Sequence, residues 1–204
     1  MAVQTEGFLD RLKKLSPGKL RDQVKSSSRW FRNKVKEVQG KTFPAARKLR
    51  QQLRDDQKET RSTPLFGRMY FYRYDAATKE KLPFWDAYPL VFPYDAWKSK
   101  NTGNNGFWGI NLHYLYVADR GLLMDVLAKG MTNNRLQISH GMVKTLMRSE
   151  KRIIPCLKKY LWKNVRGKFV EIEQDEWDTA ILLPVQQFQK ASASTVWKDS
   201  ASYY

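Results

Sequence analysis

Residues 67–75, GRMYFYRYD, alternate as an extended backbone requires, with Tyr70, Tyr72 and Tyr74 on one face and Met69, Phe71 and Arg73 on the other. Aromatic residues at this density favour a pleated, half-buried surface, so the stretch reads as a strand. The turn AATKEK then leads into KLPFWDAYPLVFPYDAW, residues 81–97, which holds six aromatic rings and three prolines in seventeen positions. Pro83, Pro89 and Pro93 each remove a backbone donor, which argues against a continuous helix and against a central strand. The expectation is an extended, irregular and well packed segment. Its rings, Phe84, Trp85, Tyr88, Phe92, Tyr94 and Trp97, admit two uses: a stiff interface to a neighbouring subunit, or filling of the domain's own core. A stacking platform for single-stranded nucleic acid fits less well, because Asp86 and Asp95 are the only charges between Phe84 and Trp97.

Downstream, the polar loop KSKNTGNNG gives way to FWGINLHYLYV, a second strand, and helical patterns follow at 119–129, with Gly130 as the stop, and at 139–148. A third helix is expected from Pro155, carrying Leu157, Leu161 and Val165. GKFVEIE reads as a short strand, QDEWDTAILL as a helix with acids in its first turn, and the tail, residues 186–204, as extended. The class is α+β: a small mixed sheet with an aromatic-rich, proline-interrupted segment and several helices, preceded by a basic helical N-terminal arm.

That arm is distinct in composition. Across the 204 residues the formal charge is +17 and the isoelectric point is near 9.9. Residues 1–62 hold 17 Lys or Arg and 7 Asp or Glu, a net of +10, yet only four of the aromatics, Phe8, Trp30, Phe31 and Phe43. The turn-forming stretch TRSTP marks the boundary, which divides the chain into an arm (1–62), a body (63–185) and a tail (186–204). Within the arm, Leu20, Val24, Phe31, Val35 and Val38 form one narrow apolar stripe, and a second helix follows Thr42 and Pro44. Such helices bury too little to fold alone, so the free arm is expected to be disordered or only partly helical. Arg21, Lys25, Arg29, Arg32, Lys34, Lys36, Arg47, Lys48 and Arg50 are scattered around its polar faces, a distribution suited to phosphates rather than base edges. The charge points to an anionic partner, with nucleic acid ahead of an acidic protein surface or anionic lipid. No apolar run approaches the eighteen residues of a membrane span, and neither membrane insertion nor conventional secretion is expected.

Catalytic signals are sparse. His113 and His140 are the only histidines and read as packed or capping residues; Cys156, the single cysteine, reads as a small core residue. Glu171, Glu173, Asp175, Glu176 and Asp178 suggest a test for a metal-dependent nuclease, but no complete signature surrounds them. Phosphate-loop, dinucleotide and nucleophile-elbow motifs are missing from the sequence. The reading is a non-enzyme without cofactor or metal.

GRMYFYRYD, LPFWDAYPLVFP, GFWGINLHYL, VRGKFVEIEQDEWDTAILLP and VWKDS together resemble the DNA end protector proteins of T-even-like contractile-tailed phages, in order through most of residues 67–199. The arm lies outside the resemblance, and Tyr116 and Val117 stand where two prolines are expected. The resemblance implies a structural virion protein of the head, neck or tail, present in the host cytoplasm during assembly. It would contact the packaged DNA end and portal, neck or tail subunits within a symmetric oligomer. The alternatives are a neck, tail or baseplate assembly protein whose arm grips acidic neighbours, and, ranked last, a nuclease.

Overall fold

The computed structural model describes residues 66–132, 135–172, 174–182 and 186–204. The expected boundary near residue 62 and the arm's helices lie outside the described residues. Five strands form the main sheet: β1 (Met69–Tyr74), β3 (Leu90–Lys98), β4 (Asn105–Asn111), β7 (Leu157–Leu161) and β8 (Val165–Ile172). Two small ribbons add β2 (Trp85–Asp86) with β9 (Phe188–Gln189), and β5 (Met131–Thr132) with β6 (Arg135–Leu136). The helices are α1 (Val117–Ala128), α2 (His140–Ser149), α3 (Ile153–Cys156), α4 (Trp177–Leu182) and α5 (Ala193–Ala201). The α+β class holds, but every pairing in the main sheet is antiparallel, where a mixed sheet was expected.

The order β7-β4-β3-β1-β8 puts β7 and β8 on opposite edges although only the 3-10 turn Trp162–Asn164 separates them in sequence. So short a link forces the sheet to curl, bringing the end of β7 and the start of β8 together at a seam. The seam is tied on the β1 side: Leu161 N donates to the Tyr74 hydroxyl at 3.1 Å, Asp75 N to the Asn164 carbonyl at 3.0 Å, and the Asn164 amide to the Asp75 carbonyl at 2.6 Å.

Curling gives the sheet two unlike faces. One carries Tyr70, Tyr72, Tyr74, Val91, Phe107, Tyr160, Trp162 and Val165, with Phe169 packed against them. Tyr72 stacks on Phe169 at 4.4 Å between centroids, and Tyr74 meets Tyr160 edge-on at 4.9 Å. Glycine at 106 lets β4 approach β7 this closely, since a Cβ there would run into the Tyr160 carbonyl. The other face presents Met69, Phe71, Leu90, Phe92, Ile110, Val170 and Ile172 to Leu123, Met124 and Leu127 of α1, Ile153 and Cys156 of α3, and Trp177 and Ile181 of α4. The alternation read in β1 therefore feeds two cores rather than one core and solvent.

Three expectations are corrected. The proline-rich segment does supply a central strand: β3 sits in the middle of the sheet with Pro93 inside it. The register slips between Pro93 and Asp95, and the two Cα pairs with β1, Tyr70 with Val91 and Phe71 with Leu90, end before the proline. Pro93 thus falls at a bulge, where its missing N–H is tolerated, while its carbonyl accepts from Gly67 N at 2.8 Å. The helix expected from Pro155 is a single turn followed by β7 and β8, because pairing with β4 and burial of Tyr160 outweigh the helical spacing of Leu157, Leu161 and Val165. The tail is not extended throughout. Ser192 caps α5 by accepting from Thr195 N, and Val196 of that helix is fully buried. Helices α1 and α2 follow the sequence reading closely, with Ser139 as the N-cap of α2. Tyr116 and Val117 are the N-cap and first residue of α1. Proline fits a first helical position, so the departure leaves the helix intact.

Candidate nucleic-acid interface

On the face of β1 opposite its three tyrosines, Met69 and Phe71 are buried in the helix-covered core and Arg73 alone is exposed. The β1–β8 register sets Arg166 directly opposite it. Like charges so placed repel, a cost that an anion between them would relieve. The loop after β1 adds Asp75 and Lys79. Asp75 is shared, 3.2 Å from Lys79 Nζ and 3.7 Å from Arg166 Nη2, and Arg166 Nη1 also donates to the Lys163 carbonyl at 3.0 Å. Arg73, Asp75, Lys79 and Arg166 line a cleft of about 450 Å³ together with Tyr74, Trp85, Ala87, Tyr88 and Gln189. Three cations face one carboxylate, a net of +2. Lys190, in the left-handed region at φ 67°, pins the loop by donating to the carbonyls of Lys79 at 2.6 Å and Glu80 at 3.1 Å.

A second polar group lies inside the protein. Asp86 Oδ2 is 2.8 Å from His113 Nδ1 and accepts from Asn111 Nδ2 at 3.2 Å; the same amide donates to the Tyr160 hydroxyl at 3.1 Å. Asp86 Oδ1 accepts from Tyr88 N at 3.0 Å. Burial pushes the His113 pKa down, and neighbouring Asp86 offsets only part of that, so the ring is neutral and its Nδ1–H donates to the carboxylate. Its side chain is 0% exposed and that of Asp86 2%, and His113 Nε2 finds no hydrogen-bond partner among the described residues. This buried acid–imidazole pair ties β2, β4 and β7 together through Asp86, Asn111 and Tyr160.

The family model described as Phage T4 terminal DNA protecting protein matches residues 6–200. The chain belongs to that family. No curated protein and no solved structure matches it. The match extends into the arm, which corrects the narrower resemblance read over residues 67–199.

The sequence candidates in this member of the DNA-protecting family fare differently. The nine basic residues of the arm lie outside the described residues. Of the six segment aromatics, Phe92 and Tyr94 are buried in the helix-covered core and have no surface to offer a neighbour. Phe84 and Tyr88 pack half-buried against that core and Trp85 against the aromatic one. Trp97 is half-buried beneath Lys159, whose Nζ stands 3.9 Å from its ring centroid. Glu171 is engaged by Arg68 at 2.5 Å and by the Tyr70 hydroxyl at 3.4 Å, and no cluster of three or more potential metal ligands occurs among the described residues. Glu173 lies outside them. His140 opens α2 and stacks on Tyr94 at 6.2 Å. Burial pushes the Cys156 thiol up to about 12, which makes it unreactive at neutral pH. Among the described residues no helix is long and apolar enough to cross a membrane. The cleft escaped the sequence reading; its only trace there is Arg73, a lone charge among the aromatics of β1.

Proposed function

We propose that the protein is a non-enzymatic structural component of the phage virion that binds and shields the end of the packaged duplex. The arm supplies most of the affinity through phosphates. The match across residues 6–200, arm included, carries this reading, supported by a net charge of +17 of which the arm holds +10. Portal, neck or tail subunits are the neighbouring proteins, in a symmetric assembly. Full-length protein and a form lacking residues 1–62 should be compared on duplex DNA across salt concentrations. If roughly five to eight arm residues meet phosphate, log K falls against log salt with a slope of about −4.5 to −7, and truncation flattens it. An unchanged slope after truncation would place the DNA surface on the body. Absence of binding by either form at low salt would favour the assembly protein whose arm grips acidic neighbours.

A further inference from the structure

Scattered charge binds the middle of a duplex as well as its end, so an end-shielding protein needs a feature that only a terminus can fill. A terminus differs from the interior in two chemical respects. Its last base has a free π-face, because nothing stacks beyond it. A 5′-phosphomonoester there carries nearly two negative charges at neutral pH, with a second pKa near 6, against one on each internal diester.

The cleft at the β1–β8 end of the sheet matches both. Resting on the DNA-end reading above, we propose that it seats the terminal nucleotide of a DNA strand, with the phosphomonoester between Arg73 and Arg166 and the base against Trp85. Arg73 and Arg166 are opposed in register on the outer surface; the Arg73 guanidinium offers paired donors to phosphate oxygens, and Arg166, with Nη1 donating to the Lys163 carbonyl and Nη2 3.7 Å from Asp75, adds its remaining N–H groups and its charge. Asp75 is drawn on by both Lys79 and Arg166, so the cleft's lining keeps a net +2, which a dianionic phosphate neutralises. Trp85 lines the same cleft and is only half-buried, and Lys190 Nζ lies 5.8 Å from its ring centroid. The volume, about 450 Å³, lies within the range that holds small ligands and is far too small for a duplex. An internal nucleotide, stacked on both sides, cannot enter it.

The test uses the full-length chain on three probes of one sequence: a blunt duplex with 5′-phosphates, the same duplex with 5′-hydroxyls, and a version closed at both ends by hairpin loops. Wild-type protein should bind the phosphorylated duplex about tenfold more tightly than the closed one, with the 5′-hydroxyl duplex between them. Arg73→Ala and Arg166→Ala should each remove most of that preference while changing affinity for the closed probe by no more than about twofold. Two variants on different strands guard against one of them failing to fold, which a thermal melt reports. The advantage of the phosphate over the hydroxyl should also shrink as pH falls below about 6, as the monoester takes up a proton. Undiminished end preference in both variants would overturn the cleft while leaving DNA-end binding standing. An equal loss on open and closed probes would also overturn it, since the arginines would then serve general phosphate contact. No preference for open over closed DNA in wild-type protein would sink the cleft and the DNA-end reading together.

Discussion

Asp75 and Asp86 flank one loop and do opposite work. Asp86 is sealed inside, where it organises Asn111, His113 and the Tyr88 amide. Asp75 faces the cleft with 41% of its side chain exposed and is shared between two cations. The buried group has the look of catalytic chemistry and no access; the exposed group has access and only charge to offer. A pair of titratable residues therefore says little about function until its exposure is known. Here the buried carboxylate is engaged by the protein's own groups, and the exposed one sits among cations on the surface.

Stability should separate the two most strongly. Asp86→Ala leaves the Tyr88 amide, the His113 Nδ1–H and one of the Asn111 interactions without their acceptor, and each buried loss costs on the order of 1–3 kcal/mol. A total fall of about 3 kcal/mol or more is expected in urea melts, against a change within about 0.5 kcal/mol for Asp75→Ala, whose partners are solvent-screened. Equal costs would erase the comparison.

Titration sharpens it further. Burial raises the pKa values of Tyr70, Tyr72, Tyr74, Tyr114 and Tyr160 above their ordinary 10, and that of Tyr94 to about 12. Above pH 10 the unfolded chain loses protons that the folded one keeps. The stability these residues contribute is whole below pH 10 and drains away as pH rises through the folded-state values. His113 acts at the other end: its folded pKa is lowered, the unfolded chain binds a proton near 6.5 that the folded chain refuses, and stability falls as pH drops below 6.5. Thermal melts across pH should show both limbs, the alkaline one larger because six tyrosines share it. Asp75→Ala should leave both limbs in place; loss of the acid limb in that variant would mean the wrong group had been identified.

Much of this body is legible in its sequence where one periodicity rules. The alternation of Met69 to Tyr74 gave a strand, and Ser139 ahead of an amphipathic run gave a helix start. The reading failed where two local rules met. Prolines argued against a central strand, yet a bulge at Pro93 and pairing with β1 that stops before it remove the objection. Leu157, Leu161 and Val165 keep a helix's spacing across what is strand, turn and strand, because four-residue steps also suit an even-numbered face of an extended chain. The tail helix left a readable trace in Ser192, with Val196 and Ser200 four apart and both buried. The cleft left almost none: Arg73 and Arg166 are far apart in sequence, and only the β1–β8 register makes them neighbours.

Shielding of duplex ends without cleavage has a simple readout. Linear blunt-ended DNA is saturated with the full-length protein at low salt and challenged with a processive exonuclease, with magnesium present and a control lacking the exonuclease. Most linear molecules should survive at full length, the control should stay intact, and raising salt should restore digestion as the protein dissociates. Digestion at the rate of naked DNA despite saturation, or cleavage in the control, would rule out a non-cutting shield.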